Sequence, residues 1–182
     1  MFEAATGYIG ELILEAGLGK SHERFGNRHP DMAPHGVYPC EGEDQWVAIA
    51  VRDDREFKRF REISGLDLSD PALLDLAHRL TQQDYLDQQI STWTGELTTQ
   101  EATRQLQDIA IAAAPVQRTD QVLADPNLRD WFQPLSHPDL GSHLYDGFPW
   151  RFSNSELSSE SASPRLGQHS RELLYRLLGQ SH

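Results

Sequence analysis

Hydrophobic positions over residues 1–19 recur at helical spacing. Phe2, Tyr8, Ile9, Leu12, Ile13 and Leu14 form an apolar stripe, and Gly17 and Gly19 end it. Such a stripe needs a surface to pack against. Residues 20–36 carry no period of either kind and read as an irregular loop. Val37–Cys40 and Gln45–Val51 then read as two strands, joined by Glu41-Gly42-Glu43-Asp44 as a hairpin-like turn.

Helical spacing returns after the hairpin. Asp53-Asp54 caps a helix with Phe57, Phe60 and Ile63 on its inner face, stopped by Gly65. Asp70-Pro71 opens a short helix with proline at the favoured first position. Residues 79–93 form a helix whose inner stripe is Leu80, Tyr85, Leu86, Ile90 and Trp93. Thr98-Thr99-Gln100-Glu101 starts another, running to about Ala110. Ala114–Gln117 reads as a short strand and 119–124 as a helical turn. After Phe132 the texture changes. Pro134, Pro138, Gly141, Gly147 and Pro149 separate short extended pieces, Trp150-Arg151-Phe152 among them. Residues 153–163 form a Ser/Glu-rich linker, and 164–179 close as a helix with Leu173, Leu174, Leu177 and Leu178 on one face.

Composition narrows the class. The chain has 182 residues, 38% hydrophobic and 24% charged, as expected of a water-soluble chain with one domain and a real core, or a domain plus extensions. A net charge of −12 argues against nucleic acid and anionic membrane as partners. Cys40 is the single cysteine, so no internal disulfide can form, and a reducing cytoplasm is the expected location. No apolar run approaches the roughly 18–20 residues of a membrane span.

Several motifs invite sharper readings. Gly17-Leu18-Gly19-Lys20-Ser21 suggests a phosphate loop, but Leu14 stands where that pattern requires glycine. A helix C-cap is the better reading. His29-Pro30-Asp31 and His137-Pro138-Asp139 share the tripeptide of J-domains without the flanking helices, so both read as turns. His22, His29 and His35 are close in sequence, yet one cysteine and no paired helical spacing argue against a zinc site. Neither a metal set nor a catalytic constellation emerges from spacing.

The loop itself is the densest feature. Between Gly26 and Cys40 stand two glycines, three prolines, two histidines and Arg28. A loop of that kind beside a strand often faces a ligand. Gly26-Asn27-Arg28-His29-Pro30 through Ala33-Pro34-His35-Gly36-Val37-Tyr38-Pro39-Cys40, then Asp44–Val51, resembles the class III CoA-transferases of the carnitine dehydratase/bile-acid-inducible (CaiB/BaiF) type. That family includes formyl-CoA transferases and α-methylacyl-CoA racemases. Asp125-Pro126-Asn127-Leu128, His137–Gly141, Gly147–Ser153 and Ser163–His169 resemble later family segments in the right order.

The resemblance implies an α+β fold. Residues 1–25 would be a connecting helix and 26–132 a small domain of short strands and helices. Residues 133–182 would supply strands, a linker and a helix returning to a Rossmann-like large domain. It covers only the C-terminal half of a family member, so the catalytic Asp of the transferases and the His/Asp pair of the racemases have no counterpart here. The chain then reads as a fragment, a split-gene product or a truncated form, inactive alone. In the family the loop lies near the active site, and in some members a glycine-rich loop closes over the acyl-CoA thioester. This segment is not glycine-rich.

By the same resemblance, Asn27, Arg28, His29, His35 and Gly36 are the expected substrate-binding residues, with Arg28 for a carboxylate or phosphate and the histidines as donors. The implied reaction moves CoA between carboxylic acids through an aspartyl anhydride and thioester, with CoA thioester as substrate and no covalently bound cofactor. Transferase and racemase stay open. The implied partners are acyl-CoA, a carboxylic acid, and a second copy or a separate N-terminal half. The family assembles as interlocked dimers.

Overall fold

The N-terminal apolar stretch folds as two helices rather than one. In the computed structural model, α1 (Phe2–Tyr8) and α2 (Gly10–Gly17) are separated at Ile9. Gly7 and Gly10 flank the break, and glycine weakens a helix interior through backbone entropy. The structure describes residues 2–20, 24–66, 68, 70–148 and 150–179. The C-cap reading of Gly17–Lys20 holds. Gly19 has φ +77°, its N–H donates to Ala16 O, and Lys20 N–H donates to Glu15 O. Ser21 lies outside the described residues.

Residues up to Val116 pack as one compact unit and those from Gln117 as a second. In the first, β1 (His35–Pro39) pairs antiparallel with β2 (Trp46–Ala50), from His35 opposite Ala50 to Pro39 opposite Trp46. Val51 N–H to Pro34 O and Cys40 N–H to Gln45 O extend this pairing at both ends. The turn uses positive φ at Gly42 and Asp44.

Helix α3 (Asp54–Ser64) starts where expected because the Asp53 carboxylate accepts from Glu56 N–H. It stops at Gly65, φ +61°. Asp70 caps a single 3₁₀ turn, Pro71–Leu74. The stretch expected as one helix over 79–93 is two. Asp75 caps α4 (Leu76–Thr81), and α5 (Gln83–Thr94) follows after a break at Gln82.

Helix α6 (Thr99–Asp108) carries a complete capping box between Thr98 and Glu101. It ends in a two-bond wrap. Ala110 N–H donates to Gln107 O and Ile111 N–H to Leu106 O, with Ala110 at φ +57°. This turn sends Ile111 into the core and starts β3 at Ala112, two residues before the expected strand. Strand β3 (Ala112–Pro115) pairs antiparallel with β2, so β2 is central. Left-handed backbone costs a non-glycine residue about 1–2 kcal/mol. Ala110→Gly should therefore raise stability by about 0.5–1 kcal/mol, read from the urea midpoint; an unchanged or lower midpoint would contradict this.

Side chains alternate across the three strands. Tyr38, Val47, Ile49 and Ala113 turn inward. They meet Phe57 and Phe60 of α3, Leu86 and Ile90 of α5, and Ala102 and Leu106 of α6. Each fully buried large side chain contributes about 1.5–3 kcal/mol.

In the second unit, α7 (Thr119–Ala124) leads through a 3₁₀ turn at Arg129–Trp131 into a hairpin of β4 (Phe132–His137) and β5 (Gly141–Asp146). The texture change after Phe132 is the start of this hairpin. Among the described residues Trp150–Phe152 joins no ladder. The final helix, α8 (Ser170–Leu178), begins later than expected. Gln168 N–H to Arg165 O and Ser170 N–H to Gly167 O close turns ahead of it, with Gly167 at φ +73°. Arg165 grips Asp139 through Nε at 2.7 Å and Nη2 at 2.6 Å. Among the described residues no helix is long and apolar enough to cross a membrane.

Candidate functional site

The segment from Gly26 to Gly36 folds back on itself. At Gly26, φ +62°, the chain turns, and Arg28 N–H donates to Phe25 O. His29 and Met32 form an isolated antiparallel bridge. His29 Nδ1 accepts from Asp31 N–H at 3.0 Å, which assigns the His29-Pro30-Asp31 turn its local cause. His137 repeats the device with Asp139 N–H at 3.1 Å. The two ring acceptors stand where an Asx side chain would close a turn.

His35 opens β1 and donates its Nδ1–H to Asn27 O at 2.6 Å. Its ring lies 5.4 Å from that of His29. The structure thus brings Asn27, Arg28, His29, His35 and Gly36 to one corner of the sheet. Asn27 is exposed; the other four are half-buried.

Arg28 does not stand alone there. Its Nη2 donates to Asp84 and, at 2.9 Å, to Asp87 of α5. Three residues apart, the two carboxylates share one helical face. The bonds donated to Asp84 and then to Asp87 push the Arg28 pKa above its ordinary value. An incoming anion would compete with both. Asp87 also accepts from the Tyr38 hydroxyl at 2.9 Å. Burial first, and then the Asp87 charge, push the phenol well above its usual range, so it stays a neutral donor.

Two grooves meet at this corner. One, of about 520 Å³, runs over the outer face of the sheet, with Val37, Ala48, Ala50, Gln107, Ala112 and Ala114 in its lining. The other, of about 490 Å³, is polar and lined by Arg24, Arg28, Tyr38, Asp87 and Ser91. Gly26, Asn27, His35, Gly36 and Val37 belong to both. An apolar group in the first and a polar one in the second would therefore touch the same loop.

The far end of the loop is fixed from inside. Arg79 is fully buried and donates to Ala33 O at 2.7 Å, Leu73 O at 2.9 Å and Asp54 Oδ1 at 2.8 Å. Its guanidinium also lies 4.5 Å from the centroid of the Phe57 ring. Buried Glu56 is held by Arg52, which donates from its backbone N–H at 2.8 Å and from Nε at 2.9 Å. Burial alone would raise the Glu56 pKa, but the Arg52 bonds outweigh it and the net shift is downward. Burial pushes the Cys40 thiol up, away from reactivity.

Sequence reasoning did not find Arg24, Asp84, Asp87 or the alanine floor. The signal available was thin: two acids three apart on a helix, and the run Ala112-Ala113-Ala114. Among the described residues no group of three His, Cys, Asp or Glu is placed to hold a metal ion. His22 lies outside them.

Known proteins resemble this chain throughout its length. The sequence model of CoA-transferase family III matches residues 1–170. A probable CoA-transferase of Mycobacterium tuberculosis is 32% identical over 156 residues, covering 83% of this chain and 20% of the relative. The succinyl-CoA–D-citramalate CoA-transferase of Chloroflexus aurantiacus is 28% identical over 184 residues, 98% of this chain and 46% of the relative. The crystal structure of a CaiB/BaiF family protein from Brucella suis superposes with a TM-score of 0.71 at 24% identity, over 97% of this chain and 46% of that one. The chain thus spans less than half the length of these relatives.

Proposed function

Because the chain belongs to CoA-transferase family III, we propose that it walls an acyl-CoA site in the transfer of CoA between carboxylic acids. The observation that carries this reading is the meeting of an apolar and a polar groove at Asn27, His35 and Gly36. A thioester substrate has the same division: an apolar acyl body and a polar reacting end. The alanine-floored groove would hold the acyl body. Asn27, Arg28, His35 and Gly36 would border the reacting end, with His29, which lines neither groove, beside the His35 ring, and side-chain and backbone donors would support charge on the thioester oxygen.

In this reading the chain supplies walls and donors and excludes water from a hydrolysable anhydride, while the carboxylate nucleophile comes from family sequence that the chain does not span. Its substrates are an acyl-CoA and a free acid, with no covalently bound cofactor, in the cytoplasm. Its partner is a second copy or a separate N-terminal half, covering the exposed Leu12, Ile13 and Leu14 of α2 and Leu173, Leu174 and Leu177 of α8.

The test is an assay of the chain alone and co-expressed with the N-terminal half of the Chloroflexus relative. No transfer from succinyl-CoA is expected from the chain alone, and transfer is expected on complementation. Turnover by the chain alone would overturn the division of labour.

A further inference from the structure

Gly26 and Asn27 line both grooves and lie within residues 24–28, and the loop they belong to is held very differently at its two ends. Ala33 is fully buried, its carbonyl accepts from buried Arg79, and Pro34 O accepts from Val51 N–H at 2.9 Å. Residues 24–28 contain no buried residue. Their described polar ties to the rest of the unit are Asn27 O to His35 and Arg28 to Asp84 and Asp87. The pair with Asp84 faces water, its side chain being 96% exposed, and the pair with Asp87 is half-buried. Exposed pairs contribute little and exchange readily with dissolved ions.

The Arg28 pairing is also geometrically incomplete. Both carboxylates are bonded through the same nitrogen, Nη2. A guanidinium makes its strongest contact when two of its nitrogens face one carboxylate in a fork. Neither Asp84 nor Asp87 uses that fork. A carboxylate arriving in the polar groove, which Arg28 and Arg24 both line, could.

We propose that Arg28 is a releasable catch on residues 24–28, opened by a ligand carboxylate that takes the guanidinium from Asp84 and Asp87. Release lets residues 24–28 turn about Gly26 and widens the passage between the two grooves beside His35, Gly36 and Val37, polar at the Arg28 end and apolar along the alanines. The ligand class is a carboxylate, taken up at the Arg28 end. This inference rests on the acyl-site reading above and adds how the free acid gains entry.

Hydrogen exchange on the full 182-residue chain tests it, with succinate as the probe and chloride at equal ionic strength as the control. Arg28→Gln and the double variant Asp84→Asn/Asp87→Asn should each speed exchange at residues 26–29 by about tenfold. The amides of Val47, Ile49 and Val51 should stay as protected as in the parent, which also shows that the variants fold. Succinate should produce the same rise in the parent and no further rise in Arg28→Gln. Unchanged exchange at 26–29 in both variants would overturn the catch. Succinate acting no more than chloride, or equally on Arg28→Gln, would overturn its release by carboxylate. Each of these failures leaves the complementation assay free to succeed. Failure of the acyl-site reading would appear in that assay.

Discussion

Replacing Arg79 with methionine should cost about 3–5 kcal/mol of folding stability, the largest loss expected of any single substitution considered in this chain. Methionine keeps much of the volume, so the loss is one of hydrogen bonds rather than packing. Ala33 is fully buried. Without Arg79 its carbonyl and that of Leu73 lose the bonds they accept at 2.7 and 2.9 Å, and a buried acceptor left without a donor costs about 1–3 kcal/mol. The guanidinium contact with Phe57 goes with them. Asp54 adds little, because its side chain is 59% exposed and water can replace the arginine. Arg79→Lys should fall between, since an ammonium cannot reach three acceptors in the same fork. Urea denaturation reads both; a loss below about 1 kcal/mol for Arg79→Met would contradict the assignment.

Gly36→Val should cost about 2–4 kcal/mol and act on the site itself. A Cβ at Gly36 would lie 2.9 Å from the Tyr38 hydroxyl oxygen and 3.0 Å from Cζ. The Tyr38 ring cannot step aside cheaply: the residue is 2% exposed and its hydroxyl is tied to Asp87 at 2.9 Å. Moving the ring breaks that bond, and with it the bridge from β1 to α5. Near-ultraviolet circular dichroism should report the displaced tyrosine alongside a lower urea midpoint. An unchanged midpoint would show that the ring and Gly36 are not in contact.

Elements set by local chemistry were legible in the sequence. The Asp53 cap, the Asp70-Pro71 start and the Thr98/Glu101 capping box each act within four residues, and each lies where the sequence placed it. The two His-Pro-Asp turns follow the same logic. Features that depend on distant partners were not legible. Arg79 reads as an ordinary helical cation until the fold brings Ala33, Leu73 and Asp54 around it. The Arg28 clamp needs carboxylates 56 and 59 positions away, so nothing near Arg28 announces it. Helix breaks at Ile9 and Gln82 interrupt stripes whose apolar period continues through them, and period alone cannot show such a break.

The candidate residues gather at one corner because nearly all lie on one short segment, which the sequence could show. What stands opposite them could not be read, because the outer sheet face is built from Ala48, Ala50, Ala112 and Ala114. Alanine has no strong strand preference, and its run reads as filler until β2 and β3 are placed side by side.

The central claim is that the corner shared by the two grooves borders a bound acyl-CoA. Titration of the isotope-labelled chain with succinyl-CoA, followed by amide chemical shifts, tests it most directly. The expected result is a set of saturable shifts at Asn27, His35, Gly36, Val37 and Ala114, weakened by Gly36→Val. Shifts confined to the second unit, or none at these residues at saturating thioester, would contradict it.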